Sequence, residues 1–336
     1  MFKTPTPKFW LSMIALLLGI PLMSQDIHFS QFANSPLNLN PALTGAFDGD
    51  YRFKSSFRNQ WQSPVPYNTF TISAEKNFCT VKCDSSNCWR PEGFSLGALF
   101  NYDVAGDSKL SLTQLELAAS YNKYIGSGFS LAGALMLGGG QRAFSRADLR
   151  LENPNDPSNN TKDREARFLF DISTGVNLHY QACEKRNSFD FGAGIFHLNQ
   201  PRTDFFDVLD INLPTRFSIY GVGAFQLFND LDLLINTTMQ FQGPYQEIVL
   251  GAGGRIHSFS KDPGSFILDL NLGYRLDDGL IIATEFHLNM WRFGISYDFT
   301  TSQAGDLLNN GNGGVEFTVG HIISRPPPAR ACKVQF

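Results

Sequence analysis

Two constellations in this chain could do chemistry by residue type alone. Gly93, Ser95 and Gly97 have the spacing of a nucleophile elbow, which presents a serine at a sharp strand-to-helix turn. Ala98, Leu99 and Phe100 follow without opening a helix, so Ser95 reads as a strand residue and its claim to lipid hydrolysis is weak. Six histidines, His28, His179, His197, His257, His287 and His321, show no short metal-ligand spacing. His179 and His287 fall on polar strand faces beside Asp171, Glu285 and Asp298. That grouping is open to an acid-base pair or a proton-linked gate. It reads better as a satisfied polar network, because charges enclosed by protein are normally paired.

Other donors can be weighed the same way. Cys79, Cys83 and Cys88 have roughly zinc-like spacing, but no fourth ligand is evident and an exported chain meets an oxidising compartment. Disulfides drawn from Cys79, Cys83, Cys88, Cys183 and Cys332 are the expectation, with the pairing undetermined. Asn155, Asp156, Asn159, Asn160 and Asp163 offer hard oxygens suited to calcium. They lack the order of an EF-hand loop and read as a solvated loop. No catalytic residue, cofactor or resident metal is expected.

The elements that position these residues are strands. From 291 to 299 every second residue is apolar (Trp291, Phe293, Ile295, Tyr297, Phe299), and Arg292, Gly294, Ser296 and Asp298 share the opposite face. The pattern recurs from 168 to 180. Strands of that length are unusual in soluble sheets but span a bilayer, and charge on the inner face marks a membrane β-barrel. Alternation and turn residues predict fourteen strands between 51 and 323, an even number suited to an all-β, antiparallel transmembrane barrel. The inner face would carry a lumen network of Asp171, His179, Asp269, Arg275, Glu285, His287, Arg292, Asp298 and Glu316, with Glu116, Asp190 and Asp232 adding further acid.

If the chain enters from the periplasm, the long connections around 143–165, 200–213 and 300–314 fall outside the cell. The tight turns at 126–128 and 229–230 fall inside. The connection 79–93 is long yet periplasmic, which makes it a structured element, and all five cysteines lie on that side.

Composition agrees with this reading. Charged residues are 17%, against roughly 25% in soluble domains. The net charge of −4 and the lack of a basic run exclude a nucleic-acid partner. Residues 1–24 read as a signal peptide: Lys3 and Lys8 precede an apolar run that ends near Pro21. Residues 25–50 carry Ile27, Phe29, Phe32, Leu37 and Leu39, too apolar for a free tail, and are expected as a lumenal plug or a periplasmic element. Residues 324–336, with Pro326, Pro327 and Pro328, form a periplasmic extension.

The mature start, from Gln25 through Asn40, Pro41, Ala42 and Gly45, resembles the opening of the PorP/SprF family of outer-membrane proteins. The motif Arg58, Asn59, Gln60, Trp61 continues the resemblance. So do Phe191 to Gly194 with His197 to Gln200, Leu213 to Ser218, and the strand ending at Phe299. The resemblance spans essentially the mature chain. It implies a non-enzymatic barrel in the cell outer membrane, acting with the type IX secretion system and gliding motility. Its implied partners are an exported surface adhesin as client, periplasmic ring or lipoprotein components of the machinery, and outer-membrane lipid. Family members often end in Cys-Pro-Arg-Phe, where this chain has Cys332, Lys333, Val334, Gln335, Phe336, so a role tied to that ending is not implied here. From the residues themselves, the competing reading is a passive porin-like channel with an acidic lumen.

Overall fold

The computed structural model describes residues 26–60, 66–78, 80–83, 89–106, 109–145, 164–182, 185–205, 211–258, 266–301 and 313–324. Trp61, the 153–163 loop, residues 1–25 and residues 325–336 lie outside the described residues, as do Cys79, Cys88, Cys183, Cys332 and the side chain of Cys83. The possible disulfides and the calcium reading therefore fall outside them too.

Fifteen strands form among the described residues. They are β1 (Tyr51–Gln60), β2 (Tyr67–Asn77), β3 (Thr80–Cys83), β4 (Trp89–Ala105), β5 (Leu110–Gly126), β6 (Phe129–Ser145), β7 (Arg164–Gln181) and β8 (Ser188–Phe196), followed by β9 (Arg216–Gln226), β10 (Leu231–Gln242), β11 (Tyr245–His257), β12 (Phe266–Arg275), β13 (Gly279–Leu288), β14 (Trp291–Thr300) and β15 (Gly314–Ile323). Every pairing is antiparallel; all join chain neighbours except β2 with β4, and β1 with β15, which closes the ring. Fourteen strands make the barrel. The remaining one, β3, continues the β2 register along β4: Asn77↔Ser95 is followed by the Phe78 amide donating to the Phe94 carbonyl at 2.9 Å, and then by Thr80↔Glu92.

That hairpin corrects a strand boundary. The alternation places the start of the third barrel strand at 94, but β4 begins at Trp89 and carries the extra strand β3 as its partner. Pro91 and Gly93 interrupt the apolar pattern there, and both read as strand breakers when the ladder partner is unknown. The glycine run 138–140 similarly suggests that β6 ends at 139, yet it continues to Ser145 paired with Arg164.

The barrel is apolar outside and polar within. Trp291, Phe293, Ile295, Tyr297 and Phe299 are all exposed at 40–45%, whereas Ser296 and Asp298 on the other face are 2% and 6% exposed. A water-facing sheet would reverse this; an exposed apolar belt with a buried polar face suits a lipid-facing wall. No described helix is long and apolar enough to cross a membrane, so the crossing is made by strands.

The core sits inside the ring. Residues 26–50 run through the lumen from the end where Arg216 and Gln242 lie, here the upper mouth, to the lower mouth, where β1 begins. Along this path Leu37, Leu39 and Asn40 are at most 2% exposed. Phe32, Leu39 and Leu43 pack with Tyr220, Val249 and Ile281, and Leu37 packs with Leu99, Ala118, Met136 and Phe196.

Candidate functional site: the occupied barrel lumen

A lumenal segment with little regular structure must find partners for its backbone polar groups, because a buried unpaired amide or carbonyl is costly. Residues 26–50 contain only one-turn helical pieces at Phe32–Asn34, Pro36–Leu39 and Pro41–Leu43. Wall side chains supply most of the rest. Glu316 accepts from the Ser30 and Gln31 amides at 2.9 and 3.0 Å. Glu75 accepts from the Gly45 amide at 3.0 Å while Arg52 grips the same carboxylate at 2.8 and 2.7 Å. Arg52 also donates to the Leu43 and Ala46 carbonyls.

At the upper mouth the segment is clamped by charge. Asp26 meets His197 Nε2 at 2.9 Å and Arg216 Nε at 3.0 Å, and His197 Nδ1 reaches Asp171 at 2.9 Å. Arg216 lies over the Phe196 ring and donates to the Ile27 and Asn38 carbonyls. Burial disfavours ionisation of Asp26, but Arg216 and His197 outweigh it and hold the carboxyl well below its usual range. Burial likewise opposes a charge on His197, and Asp26 and Asp171 overcome it, pushing His197 up to about 9. His197 reaches this position because its φ of 57° breaks β8, and the neighbouring Asn199 side chain then completes hydrogen bonds to the Phe170 and Ile172 backbone of β7.

Deeper in the lumen Asp298 accepts from Ser30, from Arg58 at 2.9 Å and from Arg275 at 3.2 Å. Arg58 also donates to the His28 carbonyl, and Arg275 pairs with Glu247 and Asp278. Mid-barrel, Asn40 caps the turn at Pro41 by accepting from the Ala42 amide at 2.9 Å, a usual role for Asn before a helical proline. Its amide nitrogen donates to the Val176 carbonyl at 2.8 Å and to Tyr220 at 3.2 Å. A seat of glycines makes that approach possible: a Cβ at Gly175 would overlap Asn40, and one at Gly194 would stand 3.2 Å from the Asn40 Cα.

The expected lumen network is thus divided into clusters. Asp171 joins the Asp26 clamp; Arg275, Asp298 and Glu316 hold Ser30 and Gln31; Asp269, Glu285 and His287 form a third group. Within that group His287 Nε2 lies 3.2 Å from Asp269 and 2.9 Å from Glu285, Arg255 holds both Asp269 oxygens, and Asn34 donates to Glu285. The grouping of His179 with Asp171 is corrected. His179 contacts Asp190 at 3.0 Å, its register partner on β8, because cross-strand neighbours on one face lie closer than residues eight apart on the same strand. Asp298 likewise makes no ion pair with a histidine among the described residues and serves Arg58 and Arg275. Ser95 sits within β4 and donates to Asn77 at 2.7 Å, with no strand-turn-helix around it.

Spacing alone does not single out Asp26, His197 and Arg216 as a unit, since they lie on three distant segments. The available signal is the glycine alternation at 192 and 194, which marks a face that another backbone approaches.

An apolar belt outside, a polar face inside and a polypeptide held along the axis define an outer-membrane β-barrel with an occupied lumen. Residues 22–321 match the family described as Type IX secretion system membrane protein PorP/SprF, and the chain belongs to that family. It is an outer-membrane component of the type IX secretion system, and its family points to a role in secretion. No curated relative matches the chain. Among solved structures it is similar to the Ralstonia pickettii toluene transporter TbuX (TM-score 0.48, 9% identity, covering 84% of this chain and 91% of that one). A Pseudomonas aeruginosa FadL homologue gives 0.46 at 10% identity, covering 84% and 91%, and the CymD monoaromatic hydrocarbon channel gives 0.45 at 10%, covering 87% and 93%.

Asn40, Pro41, Gly45 and Arg58 all act on the lumenal segment. Gly45 adopts φ +81° where a Cβ would overlap Ser95, and Asn59 joins Asn68 across β1 and β2. Gln60 ends β1 at the upper rim.

Proposed function

We propose that this barrel supports export or surface anchoring of a partner adhesin and thereby gliding motility, acting as a docking component rather than as a passive pore. The observation that carries this reading is the lumen itself: residues 26–50 run along its axis and are held by Asn40, Gly45, Arg58 and their neighbours, residues of the stretches that resemble the family. In this reading residues 1–24 are removed as a signal peptide and the lower mouth faces the periplasm. There the β3–β4 hairpin and the 324–336 extension meet ring or lipoprotein components of the machinery. The connections at the upper mouth face the client, and the exposed aromatic and aliphatic belt meets outer-membrane lipid.

Deletion of the gene tests the function directly. Loss of the adhesin from the cell surface with secretion of other cargo retained is the expected result; unchanged adhesin export overturns it. Planar-bilayer recording tests the porin alternative, since an occupied lumen predicts a closed state and a steady open conductance would favour the channel.

A further inference from the structure

The lower half of the lumen leaves a cavity of about 280 Å³ beside the lumenal segment. It is carved by small residues at facing wall positions, among them Gly223, Gly251, Gly273 and Ala283, which withdraw side chains that fill the barrel elsewhere. Its lower rim contains a row across three adjacent strands: Arg292 on β14 faces Gly320 on β15, and Gly320 faces Lys54 on β1. Register partners share a face, so both cations point inward with no side chain between them. A Cβ at Gly320 would lie 3.5 Å from the Arg292 Cβ and 3.8 Å from the Lys54 Cε.

These two cations differ from the others that line the cavity. Arg52 is neutralised by Glu75, and Arg255 by Asp269. Lys54 donates to the Asn34 side chain at 2.6 Å and has no carboxylate within ion-pair distance among the described residues. Arg292 makes no hydrogen bond or ion pair among them, although it lines the cavity and is partly enclosed. The nearby acid, Glu285, is already held by Asn34 and His287. Asp269, Glu285 and His287 bring ligand atoms within 4.8 Å of one another, which by spacing admits a metal ion. The local charge argues otherwise: Arg52, Lys54, Arg255 and Arg292 line the cavity against Asp190, Asp269 and Glu285, and Arg255 occupies both Asp269 oxygens. A second cation would be repelled where an anion is missing.

We infer that the Lys54–Gly320–Arg292 notch is an oxyanion site, and that it receives a carboxylate of an acidic polypeptide entering the cavity from the lower mouth. A guanidinium and an ammonium flanking a glycine gap offer charge-assisted hydrogen bonds to one carboxylate from two sides. Higher in the cavity lie Asn236 and Asn271, with Asn236 donating to the Asn271 side-chain oxygen at 3.2 Å.

The test uses the full barrel in detergent micelles and a fluorescein-labelled hexapeptide rich in Asp and Glu, with its Asn and Gln counterpart as control, read by fluorescence polarisation at low salt. Inorganic phosphate serves as competitor. Binding of the acidic peptide alone, weakened roughly tenfold or more by Lys54→Gln with Arg292→Gln and by Gly320→Leu, is expected for two charge-assisted contacts. Saturable competition by phosphate assigns the site to oxyanions in general; insensitivity to it assigns the site to the peptide carboxylate. Equal binding of the two peptides to the wild-type barrel, or no binding of either peptide, overturns the inference without any variant needing to fold.

Discussion

The two halves of the lumen use the same kind of wall for opposite ends. In the upper half, Arg58, Arg216, Arg275, Asp298 and Glu316 all reach the lumenal segment, and Asp26, Glu247 and Asp298 each meet an arginine. In the lower half, Arg52 and Glu75 still hold Leu43, Gly45 and Ala46, but glycine and alanine at facing positions open a cavity and Arg292 is left without a partner among the described residues. Polar residues on an inner face are therefore not enough to define a pore or a plug. What decides is whether a second piece of chain arrives to satisfy them.

The sharpest way to break the contrast is to remove residues 26–44. The upper half would lose its partner chain and come to resemble the lower one, a hydrated, charged lumen. Single-channel conductance should rise on the order of tenfold or more, given a barrel between the side-chain-filled and open-pore sizes. An unchanged closed state would show that the segment does not block the passage.

Breaking one clamp should act next most strongly. Arg216→Met leaves Asp26 buried without its main cation, and losing one partner of a buried pair costs about 3–5 kcal/mol. Hydrogen exchange across residues 26–44 should accelerate while the barrel strands stay protected. Adding Asp26→Asn should restore part of the loss, because the orphaned charge is then gone.

Leu37→Ala tests the apolar anchor. Leu37 is 1% exposed against Leu99, Met136 and Phe196, so the cavity left behind should cost about 2–5 kcal/mol, read by the same exchange measurement. If the segment is held by charge alone, this substitution will be nearly silent.

The smallest expected effect is that of pH on the clamp. His197 is raised from 6.5 to about 9, so its stabilising contribution is fully present below about 6.5 and is lost as pH rises through about 9. Asp26 is depressed, so its contribution holds through neutral pH and fails only in acid below the usual carboxylate range. Current noise in bilayers should therefore be lowest near neutrality and grow above pH 9 (~9 being the His197 midpoint), and His197→Gln should abolish the alkaline component. Lys54 and Arg292, which touch neither clamp residue, should leave that profile unchanged.

Alternation made the barrel legible because a strand between lipid and lumen must place unlike residues on opposite faces. The faces of β14 could be read residue by residue from 291 to 299 for that reason. Boundaries failed where Pro91, Gly93 and the glycines at 138–140 removed side chains from the pattern, since a ladder partner, not the local sequence, holds such residues extended. Lumen residues could be named but not paired. Pairing depends on register: His179 opposes Asp190 only because β7 and β8 align at that offset.

By itself, the sequence determined the medium on each side of the wall, the number of barrel strands, the apolar character of residues 25–50 and the family of the chain. Tertiary structure decided what the inner face is for. A two-residue period states that Arg58 and Asp298 point inward, but only ring closure brings β1 and β14 to either side of β15, and only the threaded segment places Ser30 against Asp298. The same closure leaves Arg292 and Lys54 facing each other across Gly320. Those contacts join residues up to hundreds of positions apart, and no local period can encode them.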